Sequence, residues 1–236
     1  LINKGDNTMS RVLITGANKG IGFQMAKMYA EAGNEVLACC RNPADATALK
    51  GLGGKVTVHE LDVSNAASVA ALKAKIGDTP IDILINNAGI AGPSPDKQSA
   101  TNIDYEGWME TFNVNTMGPV RMVQAFRPNL AKGTDAKAIT ITSQMGALDL
   151  NWPVMYAYCS SKAAVNKVMR MLSVELATDK ISLRLIHPGY VKTDMGGANA
   201  EITPEESASG IIKVIADTKA DNTGTFLKWN GQVHAW

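Results

Sequence analysis

The chain has 236 residues, of which 45% are hydrophobic and 19% charged, with a formal net charge of +1. That balance supplies a sizeable core, and the length suits one α/β domain better than two small ones. A charge this close to zero gives no electrostatic basis for binding nucleic acid or an anionic membrane.

The cysteines Cys39, Cys40 and Cys159 have neither the spacing of a disulfide framework nor that of a zinc site. They read as reduced thiols, which points to the cytoplasm and to no bound metal. No apolar run reaches the roughly 20 residues of a membrane helix, and no signal peptide is visible before Met9. Residues 1–8 read as an extension or expression remnant outside the fold, leaving 9–236 as one expected domain.

In chain order, Arg11–Thr15 is a short apolar strand and Ile21–Gly33 a helix, with Ile21, Met25, Met28, Tyr29 and Ala32 at helical spacing. Glu35–Cys40 and Lys55–Leu61 are the next strands. Ser64 is placed to cap a helix over Asn65–Ile76, and Ile81–Ile85 is a fourth strand. Tyr105–Leu130 reads as one long helix kinked at Pro119. Lys137–Thr142 is a fifth strand, Val154–Ala177 a helix and Ile181–His187 a sixth strand. Thr203-Pro-Glu-Glu206 has the form of a capped helix start, and Thr225–Trp229 closes the series as a seventh strand. Strands alternating with helices predict an α/β fold with a doubly wound parallel sheet of about seven strands, covered by helices on both faces. Ligands bind beyond the carboxyl ends of such strands.

The first such end carries Gly16, Gly20 and Gly22, together with Asn18, Lys19 and Ile21, between a strand and a helix. A pyrophosphate needs bare backbone at a helix N-terminus, where N–H groups and the helix dipole favour an anion. The spacing is Gly-x-x-x-Gly-x-Gly rather than the general Gly-x-Gly-x-x-Gly fingerprint. At the second strand end, where an NAD enzyme places an acid for the ribose hydroxyls, stands Arg41. Guanidinium geometry suits a 2′-phosphate, so Arg41 and Lys19 favour NADP(H), with NAD(H) as the alternative.

Further along, Tyr158 and Lys162 are four residues apart in a helical segment and so share a face. A tyrosine with an ordinary pKa of about 10 is a poor proton shuttle at neutral pH, and a nearby cation lowers that value. Tyr156 points to a different face and reads as core or pocket wall.

The ordered set Gly16–Gly22, Asp62-Val63, Asn86-Asn-Ala-Gly89, Asn115, Ser143, Tyr158-x-x-x-Lys162 and Pro188-Gly189 with Thr193 resembles the short-chain dehydrogenase/reductase family. The resemblance implies a Rossmann-like fold and an oxidoreductase that moves hydride between a nicotinamide and a carbonyl or alcohol. It assigns Tyr158 the proton transfer, Lys162 the nicotinamide ribose, Ser143 the substrate oxygen, and Asn115 a water that relays protons to solvent. Asp62 and Val63 fall to the adenine, and Asn87, Ala88 and Gly89 to the adenine-side ribose. Ile21 falls under the pyrophosphate, and Pro188, Gly189, Val191 and Thr193 to the carboxamide. His187 is assigned a structural role. The segments His187–Gly196 and Gly224–Trp236 resemble the bacterial C-factor-type branch and small carbonyl reductases. That branch leaves a dinucleotide-binding signalling protein as the alternative function. The expected partners are a small carbonyl or alcohol substrate and further copies of the chain, as homodimer or homotetramer. Ser143 and Tyr158 are 15 apart, more than is usual in the family, and Trp152 on the lengthened loop is expected to wall the substrate pocket. The short segment Asp194–Ile202 predicts an open pocket.

Overall fold

The computed structural model describes residues 9–236, so the expectation for residues 1–8 lies outside them. The strands are β1 (Arg11–Thr15), β2 (Glu35–Cys40), β3 (Val56–Glu60), β4 (Ile83–Asn86), the short pair β5 (Gln98–Ser99) and β6 (Asn102–Ile103), β7 (Lys137–Ile141), β8 (Ser182–His187) and β9 (Thr225–Lys228). The α-helices are α1 (Gly20–Glu31), α2 (Thr47–Lys50), α3 (Ala66–Ile76), α4 (Tyr105–Phe112), α5 (Gly118–Leu130), α6 (Tyr156–Leu176) and α7 (Pro204–Ala216). Seven strands form one parallel sheet in the order β3-β2-β1-β4-β7-β8-β9, and β5 with β6 is a separate antiparallel pair.

Side-chain alternation splits the core into two layers. Leu13, Leu84, Ala138 and Leu185 pack with Val69, Met122, Phe126 and Met169 of α3, α5 and α6. Val12, Ile14, Ile85 and Ile186 pack with Met25, Tyr29, Ile211 and Ile215 of α1 and α7. The fold is therefore the Rossmann-like doubly wound sheet that the strand–helix alternation predicts. Its strand order reverses between β1 and β4, which opens a crevice at their carboxyl ends.

Two local expectations are corrected. Helix α3 starts one residue later than expected and is capped by Asn65, whose side chain accepts from Ala67 N and Ser68 N. Ser64 instead donates from N and Oγ to Asp62 Oδ1, at 2.9 and 2.6 Å. The long helix is not regular through to Pro119: a π-helical turn at Asn113–Met117 interrupts it and runs directly into α5, with Pro119 at the second position of α5. The pair β5–β6 and the short α2 have no counterpart among the expected elements. Thr203 forms the expected capping box with Glu206.

Among the described residues no helix is long and apolar enough to cross a membrane.

Candidate functional site

A cleft of about 830 Å³ lies over the crevice between β1 and β4. Its floor is the glycine turn. Gly16 and Gly20 adopt positive φ, +65° and +56°, a region open to glycine without a steric cost. A Cβ on Gly22 would fall against the Gly16 carbonyl oxygen and the Asn87 amide. The turn is pinned from beneath: Thr15 Oγ1 accepts from Asn87 N and Ala88 N at 3.0 Å, and Asn87 Nδ2 donates to the carbonyls of Thr15 and Gly16. No side chain caps α1, whose N-cap is Lys19. Its first-turn N–H groups therefore face the cleft as ready anion donors. A bare backbone floor below an uncapped helix fits the pyrophosphate of a dinucleotide.

Asn18, Lys19, Ile21, Arg41, Asp62, Val63, Ala88, Gly89, Tyr158, Lys162, Pro188 and Thr193 also line this cleft. At one end, Asp62 is held below the usual carboxylate range, first by the Ser64 hydroxyl and also by the charges of Arg41 and Arg121. Arg41 is exposed and has no ion-pair partner among the described residues. Lys19 Nζ is 2.7 Å from Asp194 Oδ2, an exposed pair bridging the glycine turn and the segment after β8.

At the other end stands α6. Tyr158 is 9% and Lys162 6% exposed, on one helix face, with Lys162 Nζ 5.7 Å from the Tyr158 ring centroid. Nζ donates to Ile141 O at 3.1 Å, which leaves two of its three donors for other partners. A Cβ on Gly89 would come within 3.6 Å of Nζ and 3.2 Å of Asn115 Oδ1, so the glycine keeps that space open. Burial pushes the Tyr158 phenol above its ordinary pKa, while the Ser143 hydroxyl beside it pulls in the opposite direction. The expected lowering by Lys162 is not what this geometry produces, because Nζ is turned to Ile141 O and burial pushes the ammonium itself down to about 8.

That depression makes Lys162 a cost to the fold. Its folded pKa, about 8, lies below the ordinary lysine value of about 10.5, so the charged form is disfavoured in the folded chain. The penalty is complete below about pH 8 and vanishes as pH rises past the free-lysine value; at roughly 1.4 kcal/mol per unit it is about 3 kcal/mol. Lys162→Met is expected to raise the melting temperature at pH 7, by an increment that shrinks toward pH 10. Thermal unfolding across that range checks it, and a lower melting temperature at pH 7 would contradict it.

Five expected residues do not line the cleft. Asn115, 1% exposed, spends both amide hydrogens, on Ile90 O at 2.8 Å and Ser161 Oγ at 3.1 Å, and its Oδ1 accepts from Ile90 N at 2.9 Å. It fastens the segment after β4 to the π turn. Ser143 is buried beside Tyr158 and accepts from Met145 N at 3.1 Å. Gly189 packs against Ile202 and Trp229, and the buried Val191 pairs with Ile202. Trp152 lines a smaller, separate cavity with Leu148, Leu150 and Cys159 rather than the cleft, because its loop runs along the other side of the first turn of α6. His187 is buried against His234, ring centroids 5.6 Å apart, and burial pushes its pKa down to about 4. Ile90, Ala91, Val114, Thr142 and Asp194 line the cleft without having been singled out. Of these, Ile90, Val114, Thr142 and Asp194 directly adjoin residues already marked.

The family model for short chain dehydrogenase matches residues 10–203. The 1-hydroxy-2-glutathionyl-2-methyl-3-butene dehydrogenase of Rhodococcus sp. is 34% identical over 97% of this chain and 100% of its own length. The C-signal protein of Myxococcus xanthus is 36% identical over 66% of this chain and 93% of its own. The NADPH-bound carbonyl reductase from chicken fatty liver superposes with a TM-score of 0.89 at 32% identity, covering 97% of this chain and 99% of that one. With the ordered motifs gathered around one cleft and a family match spanning most of the sequence, the chain belongs to the short chain dehydrogenases.

Proposed function

We propose that this protein is an NADPH-dependent reductase of aldehydes or ketones. The observation that carries the reading is the single cleft holding an uncapped glycine turn at one end and the Tyr158–Lys162 face, with Ser143 behind it, at the other. The similarity to an NADPH-bound carbonyl reductase supports it. When bound, the nicotinamide cofactor supplies the hydride.

The protein's own groups do the rest. The α1 N–H groups and the glycine floor hold the pyrophosphate, Arg41 and Lys19 the 2′-phosphate, and Asp62 and Val63 the adenine. Asn87, Ala88 and Gly89 border the adenine-side ribose, and Pro188, Gly189, Val191 and Thr193 shape the carboxamide end, Gly189 and Val191 through packing. Lys162 directs its remaining donors to the nicotinamide ribose. Ser143 and the Tyr158 hydroxyl converge on the substrate oxygen, where negative charge develops as the carbonyl is reduced. A phenol held above its ordinary pKa is protonated at neutral pH, which suits Tyr158 to donate to that oxygen. Asn115 lies in a π turn, a break in the helical ladder that releases acceptor capacity for a relay water next to Lys162.

One domain, residues 9–236, carries both cofactor and substrate sites, and the buried free thiols Cys39 and Cys40 suit a cytoplasmic setting. Met109, Met117, Met171 and Val174 are exposed on the α4–α6 side, so the chain pairs there with a second copy. Light scattering showing a monomer would remove that assignment.

The decisive assay is initial-rate oxidation of NADPH and NADH against a panel of aldehydes, ketones and quinones. Turnover with NADPH on at least one carbonyl is expected. Tight NADPH binding with no turnover on any member would favour the second reading, a dinucleotide-binding signalling protein, which the similarity to C-signal supports.

A further inference from the structure

Helix α6 begins without a local cap. Its N-cap residue is Met155, in the left-handed region at φ 49° and ψ 52°, and its side chain makes no capping bond. A helix start leaves its first N–H groups without intrahelical acceptors, and buried orphans of this kind are costly. Two of them here belong to Ala157 and to Tyr158 itself.

Both are satisfied from 59 and 60 residues away. Gln98 Oε1 accepts from Ala157 N at 3.0 Å and from Tyr158 N at 3.3 Å. Its Nε2 donates to Pro93 O and, at 3.4 Å, to Ala91 O. A primary amide has two acceptor sites and two donors, and all four are used in a side chain only 2% exposed. This pattern also fixes the orientation of the amide: reversed, it would set an NH2 against two N–H groups and an oxygen against two carbonyls. Gln98 pairs with Ile103 in the β5–β6 hairpin, which holds it in place. Trp108 of α4 adds a second tie to the same turn, donating from Nε1 to Ser160 Oγ at 2.9 Å.

We propose that Gln98 is a positioning residue for the reaction: it caps the catalytic helix in trans, sets the position of Tyr158 through its backbone N–H, and couples that position to the 91–98 segment. Ala91 lines the cleft, so a substrate that moves this segment moves the acceptor of the tyrosine's own N–H. The inference rests on the assignment of Tyr158 as proton donor. Small misplacements of a reacting group cost large factors in rate, about 100-fold for 1 Å.

The test uses full-length Gln98→Leu and Gln98→Glu beside Tyr158→Phe. Gln98→Leu should lower kcat by roughly tenfold or more while the Kd for NADPH stays within about twofold, and hydrogen exchange at the first turn of α6 should accelerate. Gln98→Glu keeps an oxygen over the two N–H groups. Protonated, it also keeps a donor toward the Pro93 and Ala91 carbonyls; ionised, it repels them. Its kcat should therefore recover toward the native value on the acid side and fall with rising pH more steeply than in the native enzyme. A role in stability alone predicts lowered melting temperature with no pH-dependent recovery of kcat. Native kcat in Gln98→Leu, unchanged exchange in α6, or an equal loss of kcat and NADPH affinity would each overturn the proposal. If Gln98→Leu does not fold, the pH profile of Gln98→Glu decides alone. An active Tyr158→Phe overturns the proton-donor reading and the positioning role with it; an inactive Tyr158→Phe beside a fully active Gln98→Leu overturns only the latter.

Discussion

Tyr158→Phe should abolish carbonyl reduction while leaving NADPH binding nearly intact. The substitution removes one oxygen from a ring that is already buried, so it opens no large cavity and leaves no charge unpaired. What disappears is the proposed donor to the substrate oxygen. General acid catalysis by a positioned group contributes roughly 100- to 10,000-fold, and kcat should fall within that range. The Kd for NADPH should change by less than about threefold, because the donors proposed to hold its phosphates, the glycine turn and Arg41, lie at the other end of the cleft. Ser143 loses its phenolic neighbour but keeps the bond from Met145 N, so its loop stays in place. In the native enzyme the rate of reduction should decline on the alkaline side, where the phenol loses its proton. Burial pushes that titration upward from the ordinary tyrosine range, so an activity loss setting in well below it would point to another group, Lys162 first among them. Stopped-flow single turnovers with saturating NADPH separate the chemical step from product release. A Tyr158→Phe variant with native single-turnover rate would remove Tyr158 from the reaction.

The parts of this site that were legible in the sequence are those made by neighbours along the chain. β1 and β2 have the bounds that their apolar runs and flanking turn residues define, and the glycine turn follows β1 directly. Tyr158 and Lys162 share a face because helical spacing dictates it. Illegible were the features made across the fold. The break at Asn113–Met117 accompanies the bonds of Asn115 to the main chain of Ile90, 25 residues away. No local pattern encodes that. Gln98 is a polar residue in a loop by every sequence criterion, and only the packing of β5 against α6 reveals it as a buried cap. The direction of the Tyr158 pKa shift in the chain alone is illegible for the same reason. Spacing shows that a lysine is near, but not that its ammonium is turned toward Ile141 O or that both groups are buried.

Arg41→Ala should weaken NADPH binding roughly 10- to 100-fold and leave NADH nearly unaffected. A hydrogen bond to a charged group contributes about 1.5–3 kcal/mol, and a factor of ten in affinity is about 1.4 kcal/mol. Two features place Arg41 at the upper end of this effect. It has no ion-pair partner among the described residues to surrender, and its charge opposes that of Asp62 at the same end of the cleft. Removing it therefore deletes a donor and leaves the Asp62 carboxylate to repel a 2′-phosphate. Lys19 is differently placed. It is already paired with Asp194, an exposed contact of the kind that contributes about 0–1 kcal/mol, so contact with a phosphate exchanges one anion for another. Lys19→Ala should accordingly cost less NADPH affinity than Arg41→Ala, and Asp194→Asn should tighten NADPH slightly. Because Arg41, Lys19 and Asp194 are exposed, the preference for NADPH over NADH should narrow as salt is raised. Titrations of both cofactors into the three variants at low and high salt check the order. Equal losses for NADPH and NADH in Arg41→Ala would mean that Arg41 holds a part of the cofactor the two share, and that the preference between them is set elsewhere in the cleft.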